Sequence, residues 1–120
     1  MRAFAATNII VYAQSDDGAK SAQAVALLEA RIVISTQVVN EAVSVLTRKH
    51  GFTLADAHAI AADLLLACEV VPLDSHTIRE AIRLAARYQF SHWDALIVAA
   101  AVIAGCNTLV QRGLASRSTC

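Results

Sequence analysis

Four glycines are all that the 120 residues of this chain contain, and none is spaced as in a phosphate-cradling loop. Such loops need residues without a Cβ so that backbone amides can close on a phosphate, so dinucleotide and P-loop cofactors are disfavoured. Cysteine is scarce and odd in number: Cys68, Cys106 and Cys120 show no paired spacing and no Cys-x-x-Cys motif. That set argues against a disulfide framework and a zinc ribbon, and suits a reducing cytoplasm. Net charge is also missing, because ten basic and ten acidic residues cancel. Any surface for a polyanion must therefore be local. No apolar run is long enough for a membrane: Ala95 to Ala104 is about half the roughly 20 residues a spanning helix requires. The first residues hold an apolar run broken by Thr7 and Asn8, a poor signal peptide, so a cytoplasmic protein with no membrane partner is expected.

What the chain does have is core-forming material, with hydrophobic residues at 57%. At this length that makes one domain. Extended and helical signals alternate. Arg2 to Ala6 is short and apolar, Thr7 and Asn8 read as the start of a loop, Ser15-Asp16-Asp17-Gly18 as a turn, and Lys20 to Arg31 has a helix former at nearly every position. Ile32-Val33-Ile34 is β-branched, and Ser35-Thr36 offers a cap to a helix whose Val39, Ala42, Val43 and Leu46 recur at helical spacing until Gly51. Thr53 and Asp56 resemble a capping box before a helix running to Cys68; Glu69 to Leu73 is a third strand with Pro72 at its end; Ser75 to Tyr88 is helical. A last helix follows Ser91, Gly105 stops it, and Thr108-Leu109-Val110 extends again. Strands separated by helices imply parallel pairing with helices on both faces.

Sheets of this kind place ligands beyond the carboxyl ends of their strands, which directs attention to Thr7, Asn8, Glu41 and Gln111 to Gly113. The most informative segment is Ser91-His92-Trp93-Asp94-Ala95-Leu96-Ile97, a carboxylate at the mouth of a helix that is otherwise apolar on every side. Asp94 can cap that helix in a box with Ser91, or it can ligate a hard cation together with acids from other elements; both can hold at once. Glu41 lies at the edge of its helix's apolar arc, where it either reaches solvent or leans over the sheet end. Arg79, Arg83 and Arg87 form a basic stripe that is either a solvated face or a track for RNA. His58, His76 and His92 lack ligand spacing, and Trp93 is expected in the core with its indole N–H on a local partner.

Four segments carry a resemblance: Phe4-Ala5-Ala6-Thr7-Asn8, Ser35-Thr36-Gln37-Val38-Val39-Asn40-Glu41, Ser91 to Ile97, and Gly105-Cys106-Asn107-Thr108-Leu109. In order and spacing, from Met1 to about Leu114, they resemble a PIN domain of the VapC toxin type. The resemblance implies a three-layer α/β fold with a small central parallel sheet flanked by helices. It also implies a Mg²⁺- or Mn²⁺-dependent endoribonuclease in which strand-end acids hold the metal, a cognate antitoxin, RNA as substrate and a homodimer. By this likeness Glu41 and Asp94 are catalytic and metal-binding, with Thr7 and Asn8 assisting at the cofactor.

The chain departs from the pattern at the other acids. Ala6 stands where the first acid is expected, Gly113 is the best match for the last, and Asn107 falls where many relatives carry aspartate. Two carboxylates offset far less of the lost hydration of Mg²⁺ than a full set, so weak metal binding and impaired nuclease activity are expected on an intact scaffold. The alternative is an inactive PIN-like module that engages an antitoxin, a sister subunit or RNA. Residues 115–120, after a domain spanning 1–114, show no strand pattern, so a frayed tail and a missing last strand are expected. Gene decay, a frameshift or engineering would each leave such a pattern.

Overall fold

A computed structural model describes residues 2–14, 18–110 and 116–117. The chain runs β1 (Ala3–Ala5), α1 (Thr7–Ala13), α2 (Gly18–Glu29), β2 (Val33–Ser35), α3 (Thr36–Lys49), α4 (Leu54–Ala67), β3 (Glu69–Val71), α5 (Ser75–Tyr88), α6 (His92–Ile103), β4 (Thr108–Val110) and β5 (Ser116–Arg117). The sheet order is β3-β2-β1-β4-β5. The first four strands are parallel, with Phe4 paired to Val33 on one side and to Leu109 on the other. This is the α/β architecture expected, a parallel sheet flanked by helices.

Two expectations fail. Thr7 and Asn8 do not open a loop but begin α1, whose Ile9 and Ile10 are fully buried. The β-branched run Ile9-Ile10-Val11 has weak intrinsic helix propensity, and burial against the core overrides it. The expected absence of a last strand is also corrected: Ser116 and Arg117 pair antiparallel with Leu109 and Thr108. A ladder on an open sheet edge is made by backbone groups, so two residues join it without any alternating side-chain pattern. The turn at Ser15 to Asp17 and the positions Gln111 to Leu114 lie outside the described residues.

Local chemistry sets the helix starts. The side chains of Ser35, Thr53 and Ser91 each accept a hydrogen bond from the backbone N–H three residues on. Asp74 makes a full capping box with Thr77 one residue before the expected start of α5. Gly51 and Gly105 follow α3 and α6 with φ of +71° and +75°, the left-handed conformation that ends helices and that glycine takes without Cβ strain.

The main core centres on Phe4 and Ile34 of the middle strands, with Ile9, Ile10, Val38 and Ala100 packed around them. A smaller cluster joins Ala81 and Leu84 of α5 to Ala95, Leu96 and Ala99 of α6. Helix α6 serves both clusters, which is why it has no polar side along most of its length. No described helix is long and apolar enough to cross a membrane.

Candidate functional site at the carboxyl edge of the sheet

The carboxyl ends of β1 and β4 are held together where the backbone N–H of Ala6 donates to the carbonyl of Val110 at 2.9 Å. Ala6 is also the N-cap residue of α1 and offers no side-chain acceptor to that helix. Next to it, the Thr7 hydroxyl donates to Glu41 Oε1 at 2.9 Å, joining the start of α1 to the second turn of α3. Glu41 is half-buried, so it leans over the sheet end rather than reaching into solvent. On the far side of β2, the backbone N–H of Leu73 donates to Thr36 Oγ1 at 3.0 Å and fixes the exit of β3 against the first turn of α3.

Asp94 enters on α6. The end of that helix is tied to the amino edge of the sheet: Arg2 Nε donates to the Ala104 carbonyl at 2.7 Å, and Asn107 N–H donates to the Arg2 carbonyl at 3.1 Å. The helix therefore runs antiparallel to the strands. Asp94, one turn before the buried Ile97, stands on the carboxyl side. Ser91 caps the Asp94 N–H at 3.2 Å, but the reciprocal half of the box is not made. The Asp94 carboxylate is exposed and has no hydrogen bond or ion pair among the described residues.

Asn8 and Gln37 add neutral groups. The Asn8 Oδ1 atom is buried with no partner among the described residues, and so are both side-chain polar atoms of Gln37. Such atoms carry a desolvation cost unless something bonds them. Gln37 precedes Glu41 by one turn on α3 and was missed by sequence reasoning, although a glutamine inside the apolar arc of a helix is itself a signal.

The structure thus brings Ala6, Thr7 and Glu41 together, and it places Asp94 on the same side of the sheet with no hydrogen bond to them. Among the described residues no group of three or more His, Cys, Asp or Glu side chains could hold a metal ion. A hard divalent cation draws on carboxylate charge to replace part of its hydration shell. Two acids with alanine between the strand ends do not fit a tightly held ion. Gly113, the other expected gap in the set, lies outside the described residues. Trp93 is not in the core: it is 63% exposed, because the first turn of α6 projects beyond the packed layer. Cys68 and Cys106 are free, buried thiols whose burial raises their pKa, which disfavours the thiolate form.

The model of the PIN domain matches residues 4–113. The chain belongs to the PIN-domain family. Solved structures agree with it in fold. One is the Mycobacterium tuberculosis toxin VapC20, which cleaves the sarcin-ricin loop: TM-score 0.72 and 21% identity, over 89% of this chain and 86% of that one. Another is a toxin-antitoxin complex from Klebsiella pneumoniae: TM-score 0.70 and 20% identity, over 92% and 85%. A third is VapBC2 from Rickettsia felis, bound to a DNA fragment from its promoter: TM-score 0.68 and 20% identity, over 92% and 86%. A comparison with curated protein sequences gave no match. In this PIN domain, then, the carboxyl edge of the sheet combines two acids with an alanine at the exit of the central strand.

Proposed function

We propose that this PIN-domain protein is a homologue of the VapC ribonuclease toxins in which Mg²⁺- or Mn²⁺-dependent endoribonuclease activity is impaired. The observation that carries the reading is Ala6: its N–H donates to the Val110 carbonyl, its own carbonyl accepts from the Ile9 N–H, and its side chain brings no oxygen to the strand end. Glu41 and Asp94 are the acids left to act at the site, with Thr7 positioning Glu41 through their hydrogen bond. A cation held by so few charges binds weakly and does not reliably lower the pKa of its water. A cognate antitoxin and a homodimer are the proposed partners, in a cytoplasmic setting consistent with the two free thiols. The antitoxin is supported by the complexes formed by the Klebsiella and Rickettsia proteins of like fold.

A second reading keeps the scaffold and removes the chemistry altogether, leaving a module that binds antitoxin, sister subunit or RNA. It is favoured by the intact fold around Ala6. One assay separates the two: purified protein, Mn²⁺ and a structured RNA, with Asp94→Ala alongside. Slow cleavage lost in Asp94→Ala supports residual nuclease; equal silence from both supports the binding module. Robust turnover by the native chain would overturn the impairment. A doubly restored Ala6→Asp, Gly113→Asp chain that gains cleavage would show that the scaffold still supports the reaction.

A further inference from the structure

Three phenylalanines, two tyrosines and one tryptophan are the aromatic residues of this chain. Half of them stand in the open at one corner, where α5 turns into α6: Tyr88 is 54% exposed, Phe90 38% and Trp93 63%. Their rings are organised. Tyr88 and Phe90 lie 5.8 Å apart between centroids, and His92 meets Trp93 edge-on at 5.3 Å. Between them Gln89 takes a left-handed φ of 59°, a conformation that side chains other than glycine adopt at a cost. Exposed apolar area gathered in one patch marks a partner.

The neighbouring charges say which kind. Arg79, Arg83 and Arg87 follow one another at four-residue intervals along α5, and all three are exposed. Only Arg83 is paired with a carboxylate among the described residues, Glu80 at 2.9 Å. The Arg87 guanidinium lies 5.3 Å from the Tyr88 ring centre, so the cationic track runs directly into the rings. Flat ring faces beside a row of guanidinium groups match a strand that offers bases and phosphates together. A duplex hides its base faces and fits poorly. We propose that the α5–α6 corner is a stacking platform for single-stranded nucleic acid, with Tyr88, Phe90 and Trp93 receiving bases and Arg79, Arg83 and Arg87 following the phosphates. Because Trp93 immediately precedes Asp94, a bound strand passes beside the carboxyl edge. The choice of RNA as the strand rests on the reading given under Proposed function; the platform does not depend on the acids.

Trp93 is the sole tryptophan and so reports on its own site. The full chain is titrated, in EDTA to stop cleavage, with a short single-stranded RNA, the same DNA sequence and the RNA duplex, following tryptophan fluorescence. Saturable quenching by the single strands is expected, with weak response to the duplex. The double variant Tyr88→Ala, Phe90→Ala should bind at least about thirtyfold more weakly, with unchanged circular dichroism. Arg79→Ala and Arg87→Ala should each reduce the salt slope by about 0.7. The proposal is overturned by absence of quenching, by equal affinity for the duplex, by binding indifferent to loss of the rings, or by a signal that tracks protein concentration alone, as self-association would. A silent nuclease assay leaves this measurement standing, and a negative titration leaves the question of residual cleavage to the RNA assay.

Discussion

Glu41 shows what one residue can and cannot reveal in advance. Its place on the edge of an apolar arc left it free to face water, and the Thr7 hydroxyl decides the matter by bonding one of its oxygens. Removing that donor in Thr7→Val should cost about 1 kcal/mol, the typical net value of one hydrogen bond, seen as a lowered urea midpoint with an unchanged slope. Both residues were legible from their positions after β1 and on α3; their bond was not, because it spans 34 residues of chain. Trp93 departs from the core position expected of it for a related reason. The buried residues of helix α6 begin only at Ala95, and no pattern within a helix reveals where its neighbours stop. At the opposite edge of the sheet, Glu69 is hydrogen-bonded by Arg2 Nη1 at 2.9 Å, which holds its carboxyl below the ordinary carboxylate range. A lowered folded-state pKa gives stability that is fully present above the unfolded value, about pH 4, and is lost as pH falls through the folded value. Arg2→Gln should therefore flatten the acid side of the stability profile measured by thermal melts between pH 2 and pH 6, with little change in its shape above that range.

At the scale of elements, the first four strands and the five later helices followed from local signals, since caps, glycine stops and β-branched runs agree with the tertiary structure. Helix α1 did not, because its sequence favours extension and only packing of Ile9 and Ile10 makes it helical. Strand β5 was illegible because its pairing uses backbone alone. The two best-defined ends of long elements invite direct tests. Ser35 is fully buried and caps α3 through its hydroxyl, so Ser35→Ala should destabilise the protein by about 1 kcal/mol. At the end of α6, apart from its two chain neighbours, no atom of the described residues lies within 4 Å of where a Gly105 Cβ would stand. The cost of Gly105→Ala is thus conformational only, about 1 kcal/mol from the left-handed φ. Calorimetric melting of each variant at one pH checks both values.

Across the whole molecule, the central strand is the element on which fold and site both depend. Phe4 anchors the core, Ala5 ends β1 in register with Val110, and Ala6 then sits at the point where acids from separate elements would be drawn together. The side chain at position 6 is half-buried at the rim, packed against the outside of the core rather than within it, so the interior packing is complete without it. That separation makes the site restorable. In the absence of metal, Ala6→Asp adds an N-cap acceptor to α1, a gain of about 1 kcal/mol, while repulsion from Glu41 opposes it. The two effects are of similar size, so the metal-free melting temperature should move little. With Mn²⁺ the native chain should show no rise, whereas the variant gains a third carboxylate and stability by linkage. A concentration one hundred times the dissociation constant corresponds to about 2.7 kcal/mol, or several degrees. Reversal by EDTA would assign the rise to the ion. A native chain that melts higher with Mn²⁺, to the same degree as Ala6→Asp, would show that Glu41 and Asp94 already hold the metal and that position 6 is not the missing ligand.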